Sequence, residues 1–305
     1  MMPVSRATVA IERRTLPATG AAVRGTWNQR VAAIVTLDGT WRGEAAPLPG
    51  FGTDTVEAAE AALWRWIDDR ALDAVASPSA RFAIETALAA RAAAQHGRSL
   101  AAQWAWPDAP HPVATAAVVD DLAAGRAALA AGHVALKIKL TGDGDRARLS
   151  AFRTAWPAVA LRGDANQRWP LAEVDDRLAE LIELGLEYVE EPAPGLTYDA
   201  PRAVPLALDE SLGGADDAWL EQALAGGALA AIVCKPTVLG GVARCRALAR
   251  RAAVHGVDAV WSHALEGPVG FAAVVAMAHA LGGRRAAGIA PHEALTADPL
   301  RVGDA

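Results

Sequence analysis

The sequence predicts an α/β protein: a (β/α) barrel with a parallel sheet, preceded by an α+β unit. Three observations predict it. From Pro112 onward, short apolar runs alternate with longer helical ones, in the order strand, helix, strand, helix. Ahead of Pro112, strands come first and helices follow. Acids and lysines recur at the ends of successive predicted strands, which is where such barrels carry their chemistry.

The totals agree with that class. At 305 residues the chain exceeds the usual single-domain size, and 52% hydrophobic with 21% charged residues is ordinary globular composition. The formal charge of -6 contains no long basic run, so nucleic acid is not an expected partner. Two cysteines, Cys234 and Cys245, make no disulfide framework, and a reducing cytoplasm is the expected location. The N-terminal MMPVSRATVAIERR has charges inside its apolar part and does not read as a signal peptide. The most apolar stretch, Pro268 to Leu281, is too short to span a membrane and carries His279, so a buried helix is expected there. The ten tryptophans are scattered and are assigned to core packing.

The elements follow in order. Thr8–Glu12, Val31–Leu37 and Trp41–Glu44 read as strands, with Asp38-Gly39 as the turn between the last two. Pro47 to Gly52 is a loop by its Pro and Gly content. Asp54, with Glu57 three residues on, marks a capping-box start for a helix over Val56–Asp69; helices at Ala80–His96 and Leu100–Ala105 follow. Barrel strands are expected at Val113–Val119, Ala135–Leu140, Ala158–Asp164, Tyr188–Glu191, Leu206–Asp209, Ala230–Lys235, Ala259–Ser262 and Ala286–Ile289. Helices are expected at Leu122–Ala131, Gly144–Trp156, Leu171–Leu184, Trp219–Leu224, Val242–His255 and Val269–Leu281. No Gly- or Ser-rich linker separates the two parts, so they are expected to pack together.

The chemistry is read from the strand ends. In ALKIKL, Lys137 and Lys139 are two apart and share one face of a strand. Two neighbouring cations each lower the other's pKa, and a lysine so lowered can act as a base. Asp164, Glu190 and Asp209 end three successive strands and would meet in the barrel mouth. Together they would repel one another, and a hard divalent cation relieves this; an all-oxygen set suits Mg²⁺. Taken singly, each acid could be a helix cap or a surface residue. Lys235 ends the sixth strand, roughly opposite the lysine pair in an eight-strand ring. A carboxylate substrate held there has its α-carbon flanked by lysines on both faces, an arrangement for proton abstraction through an enediolate.

Lys-x-Lys, Asp164-Ala165-Asn166, Glu190-Glu191-Pro192, Asp209-Glu210-Ser211 and Lys235-Pro236, in this order, resemble the enolase superfamily. Within it the chain is most similar to the o-succinylbenzoate synthases. That likeness rests on Gly43-Glu44 running to Pro47-Leu48-Pro49-Gly50-Phe51, on Leu161 to Asn166, and on Ile232 to Thr237. The resemblance implies a modified TIM barrel of the (β/α)7β type over residues 109–290. It also implies an N-terminal α+β capping domain over 1–108 and a C-terminal tail over 291–305. Asp164, Glu190 and Asp209 would ligate Mg²⁺, with Mn²⁺ as a substitute. Lys139 would take the α-proton and return it to the leaving hydroxyl on the same face, with Lys137 tuning it and Lys235 remaining cationic opposite. The implied reaction is a step of menaquinone biosynthesis: loss of water from 2-succinyl-6-hydroxy-2,4-cyclohexadiene-1-carboxylate to give 2-succinylbenzoate. Arg162, Asn166, Ser262, Glu266 and Gly288 are the candidate substrate-binding residues. Arg162 shares a strand face with Asp164, although a buried salt bridge is its alternative. His263, Gly267 and Pro268 depart from the family's pattern after strand seven. His263 could serve as an acid–base group or as a hydrogen-bonded loop histidine.

Other functions compete with this one. An N-succinylamino acid racemase or a dipeptide epimerase of the same superfamily would use Lys139 and Lys235 on opposite faces. Dipeptide epimerases resemble one another in an Asp-x-Asp after strand eight, whereas this chain has Gly288 to Glu293 with no such pair. A Schiff-base aldolase would use one lysine and no convergent carboxylates. A non-catalytic barrel would not need the clustered charges. Closure of the site is expected from loops near Gly20–Arg30 and Pro49–Thr53.

Overall fold

The computed structural model describes residues 9–16, 30–51, 54–69 and 71–292. Strands β1 (Val9–Leu16), β2 (Arg30–Leu37) and β3 (Trp41–Ala45) form an antiparallel sheet in that order. Asp38 and Gly39 both take positive φ, 53° and 68°, the geometry a tight hairpin demands, and Thr40 N donates to Leu37 O at 3.0 Å. Helices α1 (Val56–Asp69) and α2 (Pro78–Gln95) cover the sheet, burying Val35, Leu37, Leu63, Trp66, Ile67 and Ile84 between the layers. Asp54 does not cap α1. Thr55 does, its Oγ1 accepting from Ala58 N at 3.1 Å. Asp54 instead reaches the start of α2, accepting from Ser79 N and Ser77 Oγ. The next helix, α3 (Leu100–Ala105), leads into the barrel.

The barrel strands are β4 (Ala116–Val118), β5 (Ala135–Lys139), β6 (Ala160–Asp164), β7 (Tyr188–Glu190), β8 (Leu206–Leu208), β9 (Leu229–Cys234) and β10 (Asp258–Trp261). They pair in parallel in sequence order. The expected eighth strand is reduced to two bridges, Ala287 to Thr115 and Gly288 to Ser262, which join β10's side of the sheet to β4's and close the ring. The outer layer is α4 (Leu122–Ala130), α5 (Asp145–Ala155), α6 (Val174–Ala179), α7 (Asp217–Ala225), the short α8 (Pro236–Leu239), α9 (Val242–Val254) and α10 (Pro268–Leu281). Leu136, Ile138, Leu161, Val189, Leu206, Leu208 and Ile232 face these helices and are buried.

The long helix expected over Leu171–Leu184 is broken. It is a tight turn at Leu171–Glu173, then α6, then another tight turn at Ile182–Leu184 that ends on Gly185 at φ 56°. Glu180 O, which a continuous helix would offer to Leu184 N, is taken by Arg146, while Arg153 satisfies the end carbonyls Leu184 O and Gly185 O. The four-residue α8 was not expected; Pro236 starts it and Gly240, at φ 92°, stops it. Thr8, residues 20–29, Gly52, Thr53 and residues 293–305 lie outside the described residues, so the expected strand start, both closure loops in part and most of the tail do as well. No helix among the described residues is long and apolar enough to cross a membrane.

A buried polar seam joins the first sheet to the barrel. The Arg30 guanidinium donates to the carbonyls of Ala46 and Pro47 on one side and Ala264 and Leu265 on the other. Glu44 accepts from Gly267 N at 2.5 Å and Gly270 N at 2.9 Å, at the first turn of α10. Carboxylate and guanidinium thus fix the loop after β10 against the loop after β3.

Candidate active site

Register brings the strand-end residues together. Across the parallel ladders Lys137 pairs with Arg162, Lys139 with Asp164, and Asp164 with Glu190. Alternation sends these side chains inward while Leu136 and Ile138 pack outward. Asp209 follows β8 and Lys235 follows β9. In the closed ring β5 and β9 are separated by three strands on one side (β6, β7, β8) and by β10, the bridging segment and β4 on the other, so the lysine pair faces Lys235 across the mouth.

These residues line a cavity of about 420 Å³, together with Leu48, Phe51, Val118, Tyr188, His263 and Leu265. Lys137 Nζ lies 2.9 Å from Asp164 Oδ2 and 3.1 Å from Glu190 Oε1. Lys139 Nζ lies 2.7 Å from Asp164 Oδ2 and 2.6 Å from Asn166 Oδ1. Lys235 pairs with Asp209 Oδ2 and stands 4.4 Å from the centre of the Phe51 ring. The expectation that the lysine pair lowers its own pKa is not met at Lys137. Burial works in that direction, but Asp164 and Glu190 outweigh it and raise Lys137 well above the ordinary lysine value. At Lys235 burial is likewise overcome by Asp209 and Glu190, and the pKa rises. Burial and the neighbouring Asp164 push Glu190 up, and burial pushes Asp209 up to about 6 despite Lys235. Asp164 goes the other way: burial opposes ionisation, and the two ammoniums of Lys137 and Lys139 overcome it.

Among the described residues, no three acidic, histidine or cysteine side chains stand ready-made around one point that could hold a metal ion. The Lys137 ammonium lies between Asp164 and Glu190, and the Lys235 ammonium pairs with Asp209. The donor set nevertheless fits a hard cation. Asp164, Glu190, Asp209 and Glu210 offer oxygen donors alone at neighbouring strand ends. Asp209 Oδ1 and Glu210 Oε2 are buried and have no hydrogen-bond partner among the described residues.

The candidate substrate-binding residues divide. Arg162 is 2% exposed; it donates to Glu187 Oε2 at 2.6 Å and to Ala286 O at 2.8 Å, and its Nη2 has no partner among the described residues. It therefore combines the buried salt bridge with a group on the cavity wall. Ser262 and Gly288 also line the cavity, and a Cβ at Gly288 would come 2.8 Å from Ser262 Oγ. Asn166 lies on the wall, held between Lys139 and Glu210, to which its Nδ2 donates at 3.0 Å. Glu266 does not line the cavity. It is fully buried behind it, accepting from Thr237 Oγ1 at 2.5 Å and Ala264 N at 2.8 Å, because these donors from α8 and the loop compensate its burial. His263 is the hydrogen-bonded loop histidine: its Nδ1 accepts from Leu265 N at 3.1 Å, and its ring lies 4.9 Å from that of His292. Burial, then the nearby His292, lowers its pKa to about 3. Phe51 belongs to the Pro47–Phe51 stretch of the family resemblance and to the Pro49–Thr53 turn expected to close the site, but neither it nor His292 is among the candidate site residues read from the sequence.

A model of the enolase C-terminal domain-like family matches residues 119–304. The o-succinylbenzoate synthase of Yersinia enterocolitica serotype O:8 is 32% identical over 251 residues, covering 77% of this chain and 73% of that protein. A dipeptide epimerase from Methylococcus capsulatus, complexed with Mg and the dipeptide L-Arg-D-Lys, superposes with a TM-score of 0.74 at 25% identity, over 94% of this chain and 90% of that one. MenC from Desulfotalea psychrophila shares the fold, with a TM-score of 0.70 at 21% identity, over 95% of each chain.

Proposed function

The chain belongs to the enolase superfamily, and from that premise we propose that it is an o-succinylbenzoate synthase. In this reading it converts 2-succinyl-6-hydroxy-2,4-cyclohexadiene-1-carboxylate to 2-succinylbenzoate in menaquinone biosynthesis, in the cytoplasm. Residues 1–108 act as the cap, 109–290 as the catalytic barrel and 291–305 as a tail. The observation that carries the proposal is the pair of lysine sources on opposite sides of one cavity, with buried carboxylates on the strands between them. Asp164, Glu190 and Asp209 would hold Mg²⁺, which supplies positive charge to the substrate carboxylate as charge builds there.

The chain's own groups do the rest. Lys139, released from Asp164, takes the α-proton on one face of the ring. The electron pair of the broken C–H bond moves toward the carboxylate and returns to expel the 6-hydroxyl. Lys139 gives its proton to that hydroxyl on the same face, so water leaves and the ring becomes aromatic. Lys235, kept charged by Asp209, steadies the negative charge from the opposite face. Lys137 bridges Asp164 and Glu190 and so holds the array in place. The Arg162 guanidinium and the Ser262–Gly288 bridge face the substrate, and Leu48, Phe51 and Leu265 enclose it.

A second reading, an N-succinylamino acid racemase, uses the same lysines with Lys235 exchanging the proton on the second face. The likeness to the Methylococcus epimerase favours it. The test is to offer the cyclohexadiene carboxylate and a panel of N-succinylamino acids to the purified protein. Growth of 2-succinylbenzoate absorbance supports the synthase. α-Deuterium exchange into N-succinylamino acids without dehydration would overturn it in favour of the racemase.

A further inference from the structure

Glu191, next to the expected ligand Glu190, has its carboxylate outside the cavity and is fully buried. A buried carboxylate needs donors, and this one has four. Its Oε1 accepts from Asp209 N and from Ser211 N, both at 2.8 Å. Its Oε2 accepts from Ser211 Oγ at 2.8 Å and Gln167 Nε2 at 2.9 Å. Gln167 Nε2 also reaches Ser211 Oγ at 3.1 Å, and Gln167 N donates to Glu191 O at 2.7 Å. One side chain on the end of β7 thereby ties down the chain leaving β6 and the chain leaving β8.

The backbone shows what this tie maintains. Asn166, Gln167 and Glu191 take φ of 45°, 57° and 43°, left-handed conformations that cost an L-residue on the order of 1 kcal/mol each. They follow Asp164 by two and three residues and Glu190 by one. Asp209 itself leaves β8 through a sharp bend, φ −135° and ψ −79°, and its amide at that bend is the one Glu191 accepts. The bend is otherwise held by Leu212 N on Asp209 O, and the carboxylate by Lys235; Glu191 is the acceptor that anchors the Asp209 amide to the β7 end.

We propose that Glu191, braced by Gln167 and Ser211, is the positioning residue of the divalent-cation site: it fixes the backbone of Asp209 against the strand ends that carry Asp164 and Glu190. The proposal rests on the assignment of those three carboxylates as cation ligands. It does not depend on which substrate is turned over.

The test is Mn²⁺ titration of the full-length chain, following free Mn²⁺ by electron paramagnetic resonance, with circular dichroism to establish folding. Glu191→Gln keeps size but loses an acceptor, and its dissociation constant is expected to rise by about tenfold to a hundredfold. Gln167→Ala/Ser211→Ala removes the braces while keeping the bond to Asp209 N, and a smaller, severalfold rise is expected. A merely structural role would lower the unfolding temperature and leave the Mn²⁺ affinity of the folded chain alone. If wild type binds Mn²⁺ and folded Glu191→Gln binds it within about twofold, the positioning role is overturned and the cation site stands. If Glu191→Gln does not fold, an unchanged Mn²⁺ affinity in the double variant overturns the role instead. If wild type binds no Mn²⁺, the cation assignment falls, and this inference with it.

Discussion

Lys139 Nζ lies 2.7 Å from Asp164 Oδ2, so the residue assigned to move the substrate proton is tied to a carboxylate assigned to hold the cation. The same oxygen is 2.9 Å from Lys137 Nζ. A cation at Asp164 competes with both ammoniums for that oxygen. Under the proposed roles, a cation held by Asp164 would draw that oxygen away from Lys139 and leave its amine free for the substrate proton.

Replacing Lys139 separates chemistry from folding. Its side chain is 25% exposed, and Asp164 keeps Lys137 as a partner when Lys139 is gone. Lys139→Ala is expected to lower kcat by about 10³-fold or more, the scale of a lost general base, with an unchanged circular dichroism spectrum. Loss of both dehydration and α-deuterium exchange supports the assignment. Near-normal turnover in the folded variant removes Lys139 from the role.

Chelation gives a second separation. Lys137 and Lys139 pair with Asp164, Lys137 also with Glu190, and Lys235 with Asp209, without any metal. EDTA should therefore stop turnover while leaving a folded chain, and added Mg²⁺ should restore activity. Because the folded state alone gathers the carboxylates, Mg²⁺ should also raise the unfolding temperature, by the equivalent of about 2.7 kcal/mol at one hundred times its dissociation constant. Turnover that survives EDTA would contradict the metal-dependent mechanism.

What could be read in advance follows from how local each feature is. The spacing of Lys137 and Lys139 is a property of one strand, and it places both on one face whatever surrounds them. The ends of β6, β7, β8 and β9 are legible for the same reason. The raised pKa of Lys137 is not, because the acids that cause it come from other strands and local sequence shows only its fellow lysine. Glu266 has a similar history: its position in a loop beside the site points to the cavity, and only the packing of Thr237 and Ala264 turns it away. The break in Leu171–Leu184 falls where Arg146, from a neighbouring helix, takes the carbonyl of Glu180. Asp54 and Thr55 are both good caps, and the competition of Ser77 and Ser79 for Asp54 decides between them.

Gly43 marks the closest approach of the first sheet to its covering helix. A Cβ there would run into the backbone carbonyl of Ala83 on α2, which cannot move without displacing the helix. Gly43→Ala is expected to destabilise the protein by roughly 3 kcal/mol, at the upper end of overpacking costs, measured by urea unfolding. The loop from Ala46 to Phe51 follows directly on β3, so KM should rise as well. A variant as stable as wild type would mean that α2 can withdraw freely from the sheet.

Glu44 makes the cap–barrel seam pH-sensitive. Burial pushes its pKa up to about 7; the donors Gly270 N and Gly267 N oppose this, Glu266 adds to it, and Arg30 opposes it. An acid with a raised pKa in the folded state binds its proton more tightly there than in the unfolded chain. Its contribution is thus greatest below the unfolded value of about 4.3 and is lost as pH rises through about 7. The difference amounts to on the order of 3 kcal/mol between pH 5 and pH 8, for a side chain that is 1% exposed. Glu44→Gln is neutral throughout and lacks that slope. Unfolding free energies of wild type and Glu44→Gln, measured in urea at several pH values, should therefore diverge with rising pH, wild type losing ground to the variant across pH 5 to 8. Parallel curves would show that Glu44 is ionised across this range, with Gly267 N, Gly270 N and Arg30 outweighing its burial.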